Sequence, residues 1–587
     1  MRIFGDLTSS IEKGRQAAPS GSAAGTSAPA AKPRPAPASV AAGNSKSVAV
    51  EERPSSSNGH DSSELFAAAV ALHLQGKPEE ALQYLEKARH QGEDLAEIHS
   101  AMAQIYLERK EYAEAAKAYR DLLSLEPDNE PAEFNLALCY EALGSYPEAR
   151  AAFQSVVRKS PELLDAHLGL ATVCTKTGDF AAAQAAYQTY LKANPDSFPA
   201  RLGLGACFHL AKQHKEAIAA YQKALELKPD SEEALLNLAS LYTEMEDHKN
   251  AFSCYGRLIK TKTDSWQAHE GLAYAAFQTG MHQEACAHYE AVVKLNPQSF
   301  EGWYNLGATR QKLGQAQKAA EAYREAARLK PDAIEPHINL AIACEEQGNE
   351  DDAAAEYLHA VRLDPKAVAP LYNLALIYEK KSQEAEAAEC YQRVLQEKPD
   401  FADACFRLAL VLHKQGEWEK AAQAYQQFLN QKADWPEAWL NLGIVCLKLE
   451  NHAEAQSAFG NALELTPDDP EAMLGLASVH LHRQNLEEAR KLYGRLVELK
   501  PNNPEVLFNA ALLEQKAQNV QQAVALYNRA VSVKTEFAEA HLNLAIALQS
   551  LGNEADAGKA FEKAIRLKPE LAKGYFSLVP PGSQAVQ

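Results

Sequence analysis

From Ser62 onward, apolar residues recur with a helical period, and the pattern itself returns every 34 residues. Fifteen units run from Ser62 to Leu571 with no insertion or deletion. Counting from one within each unit, position 8 is Ala or Gly in all fifteen, as in Ala103, Gly205 and Ala375, and position 20 is Ala in all fifteen. Position 24 is aromatic in fourteen, with Leu85 the exception, and position 7 is Leu in twelve. Positions 4, 7, 8 and 11 share one face of a 3.6-period helix, and positions 20, 24 and 27 share a face of a second. Small residues at 8 and 20 let the two helices approach, and the ring at 24 fills the space beside them. Gly at position 15, as in Gly144, Gly178, Gly280 and Gly314, can end the first helix in a left-handed conformation. Pro at position 32, present in eleven units, stops the second helix. Each unit is therefore predicted as helix A, tight turn, helix B, tight turn. Glu93, Thr263, Ala433 and Thr535 replace the usual proline, and the first unit departs at positions 7 (Ala68) and 24 (Leu85), as expected of a terminal unit facing water.

Small at 8, Ala at 20, aromatic at 24 and Pro at 32 resembles the tetratricopeptide repeat family, over residues 62–571. The resemblance implies an all-α, right-handed superhelical solenoid of about fifteen repeats, more than one superhelical turn long, with helix A lining the concave side. It implies protein binding as the general role without naming a ligand.

Positions 2, 5, 6, 9, 12 and 13 of helix A fall on the arc opposite its packing face, so they are the expected groove residues. Position 6 is Asn in eight units: Asn135, Asn237, Asn305, Asn339, Asn373, Asn441, Asn509 and Asn543. An amide carries donors and an acceptor and can hold a peptide backbone of any sequence. The column resembles the asparagine ladder in the repeat domain of O-linked N-acetylglucosamine transferases, broken here by Ala67, Ala101, Gly169, Gly203, Gly271, Arg407 and Gly475. Position 5 supplies Phe134, Tyr304, Ile338, Tyr372, Phe406, Leu440 and Phe508, and position 9 supplies Ile342, Leu376, Leu410, Ile444, Leu512 and Ile546. Together these read as an exposed apolar stripe, densest from the ninth unit onward, and such a stripe marks a partner site. Acids at position 2 (Glu301, Glu335, Glu437, Glu471) and lysines at position 13 (Lys312, Lys380, Lys414, Lys448) are expected to edge it. An apolar floor between charged edges suits an amphipathic helix or an extended peptide. The chaperone-tail clamp found in some family members needs Lys at 5 and Asn at 9, and no unit has either.

Ahead of the repeats, residues 17–61 are rich in Ala, Ser, Pro and Gly and are expected to be a disordered linker. Residues 1–16 place Ile3, Phe4, Leu7 and Ile11 on one helical face with a capping box from Ser9 to Glu12, which suggests a short docking peptide on a tether. Residues 572–587 open like another helix A and stop at Pro580 and Pro581, which suggests a C-terminal cap and tail.

Charge and chemistry narrow the function. The net charge is −19, and the chain beyond residue 61 holds 52 basic and 73 acidic residues. Such a surface repels nucleic acid and anionic membranes. No stretch approaches a membrane span, and no signal-peptide-length apolar run opens the chain, so a cytoplasmic location is expected. Nine cysteines without a CxxC spacing read as small buried hydrophobes in a reducing compartment. No phosphate loop, GxSxG or HExxH occurs, so no enzyme activity and no cofactor are expected. His99, His167, His269, His337 and His541 all occupy position 4, at least two units apart, too far to share an ion, and are expected to pack. The leading expectation is a scaffold that binds peptide segments of partner proteins, a second copy of itself being admitted among them. The alternatives are a substrate-recognition subunit of a separate glycosyltransferase and an assembly factor for an envelope or secretion complex.

Overall fold

The computed structural model describes residues 63–91 and 95–574. The expected docking peptide, the linker and the tail beyond residue 574 lie outside the described residues. Every unit is a helical hairpin, so the protein is an all-α repeat solenoid. Helix A occupies positions 1–13, as in Glu130–Ala142, Phe300–Lys312 and Val368–Lys380, and helix B positions 17–30, as in Tyr146–Lys159 and Glu384–Glu397. The described residues form two compact bodies that divide between Pro331 and Asp332.

Several helix starts are capped by short polar side chains. Ser299 accepts from the Gly302 amide at 2.9 Å, and Asn129 from that of Ala132 at 3.0 Å. Such caps satisfy amides that the first turn leaves without intrahelical partners. Helix A ends the same way in all fifteen units, with position 15 at positive φ. Eight of these residues are glycine, and seven are Lys110, Lys212, Glu246, Ser382, Glu450, Gln484 and Gln518. At Gly144 the amide donates to the Glu141 carbonyl at 3.0 Å and the next amide to Tyr140 at 2.9 Å. Lys110 repeats this, with bonds to Leu107 and Tyr106. The paired bonds impose the left-handed turn even where no glycine eases it. Proline at position 32 is equally dispensable. Helix B keeps its length at His248–Thr261, Trp418–Gln431 and Val520–Val533, where Thr263, Ala433 and Thr535 follow.

The core runs along each body rather than gathering at a centre. Position 8 and position 20 are buried in every unit. The position-24 side chain is buried in the first fourteen and half-buried at Phe561. A Cβ on Gly205, Gly307 or Gly443 would approach the position-24 ring of its own unit to 2.6–2.7 Å, which is why only small residues occur at 8.

Candidate functional site

The ring at position 24 also decides what position 6 does. A Cβ on Gly169, Gly203, Gly271 or Gly475 would come within 2.2–2.5 Å of the aromatic side chain at position 24 of the preceding unit. Position 6 therefore faces a packed ring rather than open solvent. Where it is asparagine, the amide meets the phenol. Asn373 Nδ2 donates to Tyr357 Oη at 3.1 Å, and Tyr357 Oη donates to Glu345 at position 12 at 2.6 Å. Tyr391, Tyr323 and Tyr527 meet position 12 of their own units likewise, at Glu379, Gln311 and Gln515, over 2.9–3.1 Å. Burial raises the hydroxyl pKa of Tyr119, Tyr289 and Tyr493, and the amides of Asn135, Asn305 and Asn509 counter this.

Six of the eight asparagines, at 135, 237, 305, 339, 373 and 509, are accordingly buried, and Asn441 and Asn543 are half-buried. The signal for this was present in the sequence. All eight asparagines follow a tyrosine by sixteen residues, while the units that follow Leu85, Phe153 and Phe459 carry Ala or Gly.

Position 5 is corrected more sharply. Tyr304, Tyr372, Phe406, Leu440 and Phe508 are buried, Phe134 is wholly so, and only Ile338 stays half-buried. Phe406 shows the reason, with ring centroids 6.1 Å from Tyr425 and 5.0 Å from Phe428 of its own hairpin and 6.3 Å from Trp435, which caps the start of the next A helix. A helix with neighbours on three sides buries more than the 100° arc a two-helix picture allows, so this row is core and not groove floor. Glu301 and Glu471 of the acidic edge, and Glu539 at the same position, are engaged within their own units. Glu301 pairs with Lys330 at 3.2 Å, Glu471 with Lys500 at 3.2 Å and Glu539 with Lys568 at 2.9 Å. Arg407, the one charged residue in the position-6 column, lies 3.2 Å from Glu379.

Two rows keep surface. At position 9, Ile342, Leu376, Leu410, Leu512 and Ile546 remain half-buried, with Ile444 covered. At position 13, Lys312, Lys380, Lys414, Lys448 and Lys516 are exposed. The position-4 residues hold the preceding turn. His167 Nε2 lies 2.9 Å from the Pro161 carbonyl and His541 Nε2 3.1 Å from that of Thr535, a place taken elsewhere by Trp303 and Trp439 with Pro297 and Ala433. Among the described residues no cluster of His, Cys, Asp or Glu could hold a metal ion.

The first junction departs from this plan. Leu85 and Ala101 stand where most other junctions put a tyrosine and an asparagine. The missing ring and amide leave a cavity of about 190 Å³ with almost wholly apolar walls. Ala69, Val70, Leu74, Leu85, Ala101 and Ile105 line it, with His73 and Gln104 at its polar edge. In sequence, Leu85 stands out as the exception at position 24, which reads as the end of the array rather than as a site.

Family models for tetratricopeptide repeats match residues 65–87, 100–163, 168–232, 208–273, 273–314, 300–333 and 334–366. This chain is a tetratricopeptide repeat protein. A model described as the C-terminal domain of cilia and flagella-associated protein 70 matches residues 372–574. Among solved structures, the array is similar to a MamA protein, 25% identical over 29% of this chain and 92% of that one, with a TM-score of 0.28. It is similar to YrrB, described as a TPR protein with an unusual peptide-binding site, at 21% identity, 32% and 97% coverage and a TM-score of 0.30. It is similar also to a tetratricopeptide repeat protein from Parabacteroides merdae, at 19% identity, 42% and 98% coverage and a TM-score of 0.32. No curated protein matches the chain. Arrays of this family are typically non-catalytic scaffolds for protein interaction, and no helix among the described residues is long and apolar enough to cross a membrane.

Proposed function

We propose that this tetratricopeptide array is an adaptor that holds peptide segments of partner proteins on its A-helix wall. In the C-terminal body the contact surface is the aliphatic row at position 9 beside the lysine row at position 13. The observation that carries the reading is the half-open state of Ile342, Leu376, Leu410, Leu512 and Ile546, about one per repeat. Internal packing does not demand large aliphatics there, because four of the eight N-terminal units put Thr172, Ala206, Ser240 and Ala308 at the same position. A recurring apolar row left partly open is a contact surface.

Stacked helices lie about 8–10 Å apart, and an extended chain advances about 3.3 Å per residue. The fitting partner is thus an extended segment with an apolar side chain at about every third residue. Amide contact to its backbone falls to Asn441, which keeps some surface, since Asn543 Nδ2 donates to the Glu539 carbonyl of its own helix at 2.9 Å. The nine cysteines are free and buried, which suits a reducing compartment, and we place the protein in the cytoplasm.

The test is affinity capture with mass spectrometry, comparing the native chain with Leu376→Ala/Leu410→Ala. Loss of specific partners, with the helical melting curve unchanged, is the expected result. Retention of every partner would overturn the assignment.

A further inference from the structure

We infer that the cavity between the first two repeats is a receptor for the chain's own N-terminal segment, residues 1–16, with the Phe4 ring as its anchor. The inference goes beyond peptide capture by the C-terminal body and does not depend on it. The cavity is chain-specific, because it exists where Leu85 and Ala101 stand in place of a ring and an amide. Its volume is about 190 Å³. An engineered apolar cavity of about 150 Å³ stays dry and accepts benzene, so this one has room for a phenyl ring. Around its mouth, Val70 is 40% and Leu74 81% exposed, an apolar rim in need of a cover.

The segment that would cover it has matching chemistry. Ile3, Phe4, Leu7 and Ile11 fall on one face of a helix, enough to place Phe4 inward and to lay the other three on Val70 and Leu74. Arg2 adjoins that set, and Glu108 stands at the rim, 3.3 Å from His73. The tether also fits. Residues 17–62 link the segment to Ser63, where the helix that carries Ala69, Val70, His73 and Leu74 begins. A flexible chain of that length has a root-mean-square span of about 35–40 Å, against about 15 Å along a helix from Ser63 to the cavity. The effective concentration in cis is then on the order of millimolar, so an intrinsic Kd near 100 µM suffices to keep the site about 90% occupied. Partner peptides entering the array at its first junction must displace the chain's own segment.

The experiment uses the full chain with a photoreactive benzoylphenylalanine in place of Phe4, irradiated at low concentration. The expected product is an intramolecular crosslink to residues 69–105. Crosslinks scattered over other repeats would overturn the inference. Crosslinks only between chains would overturn it too and point to a second copy as the occupant. A second arm titrates a labelled 1–16 peptide onto the chain lacking residues 1–16. Binding should weaken at least tenfold with Phe4→Ala in the peptide. It should also weaken at least tenfold with Leu85→Tyr/Ala101→Asn in the array, which installs the ring and amide used at other junctions and so preserves the fold. Equal binding to that filled variant refutes the cavity as the receptor.

Discussion

If the asparagine column is held by interior packing, its removal must be felt by the fold before any partner is added. Asn373 is the clearest case. It is 5% exposed, and its amide reaches a tyrosine oxygen that is itself hydrogen-bonded to Glu345. Asn373→Ala removes one buried neutral hydrogen bond, about 1 kcal/mol net, and a few buried atoms, for a total of about 1–2 kcal/mol. Tyr357→Phe removes the same bond from the other side and also frees Glu345. Because both changes break one shared interaction, the double variant should be less destabilised than the sum by about 1 kcal/mol. A repeat array does not unfold as one two-state unit, so the assay is hydrogen exchange followed by mass spectrometry. It is read locally on the helices Glu350–Leu363 and Val368–Lys380 of the C-terminal body. Faster exchange in both helices, with a non-additive cycle, is the expected result. Additive effects with unchanged exchange, accompanied by loss of a bound peptide, would refute the packing role and return the asparagines to the groove.

Three further outcomes follow from the same contacts. Gly271→Ala puts a Cβ 2.2 Å from the Tyr255 ring and should cost about 1–3 kcal/mol; adding Tyr255→Leu, the combination the first junction already uses, should recover most of it, and no recovery would show that the clash is not with that ring. At the helix-ending turn, Gly144→Ala should cost about 1 kcal/mol because the residue is left-handed, whereas Lys110→Gly should change stability by less than about 0.5 kcal/mol, since strain relieved in the fold is offset by added freedom in the unfolded chain; equal and large effects in thermal melts would contradict this. His209, His288 and His480 are held below the ordinary histidine pKa, first by burial, aided at His288 by His269 with facing Nδ1 atoms 3.0 Å apart and opposed by Glu284. A base whose folded pKa is depressed loses stability as pH falls through its unfolded value of about 6.5, so melting temperature should drop between pH 6.5 and 5 and His288→Gln should flatten part of that slope; a slope unchanged in that variant would remove His288 as a source.

What the sequence disclosed and what it hid divide along a physical line. Positions 8, 20 and 24 were legible because their demands are steric and recur in every unit: Ala115, Ala149 and the rings at 119 and 153 vary too little to be misread. The left-handed ends at Lys110 and Glu246 were not, because the turn is enforced by backbone bonds, and a search for glycine sees only half of them. Positions 5 and 6 were misplaced for a different reason. A helical wheel assigns faces to one helix against one neighbour, but Phe406 packs on its own hairpin partner and on Trp435 at the start of the next unit's helix, and Asn373 reaches Tyr357 of the preceding unit. The information was still in the chain, as a correlation rather than a composition. Asparagine appears only after a tyrosine, and glycine or alanine wherever the ring lacks a hydroxyl or is absent. That covariation describes an interior in which an amide accompanies the phenol it can meet, and a small residue takes its place where no hydroxyl is present. The one junction with neither ring nor amide, Leu85 with Ala101, is then the one with room for something else, and so it is where a ligand should be sought first.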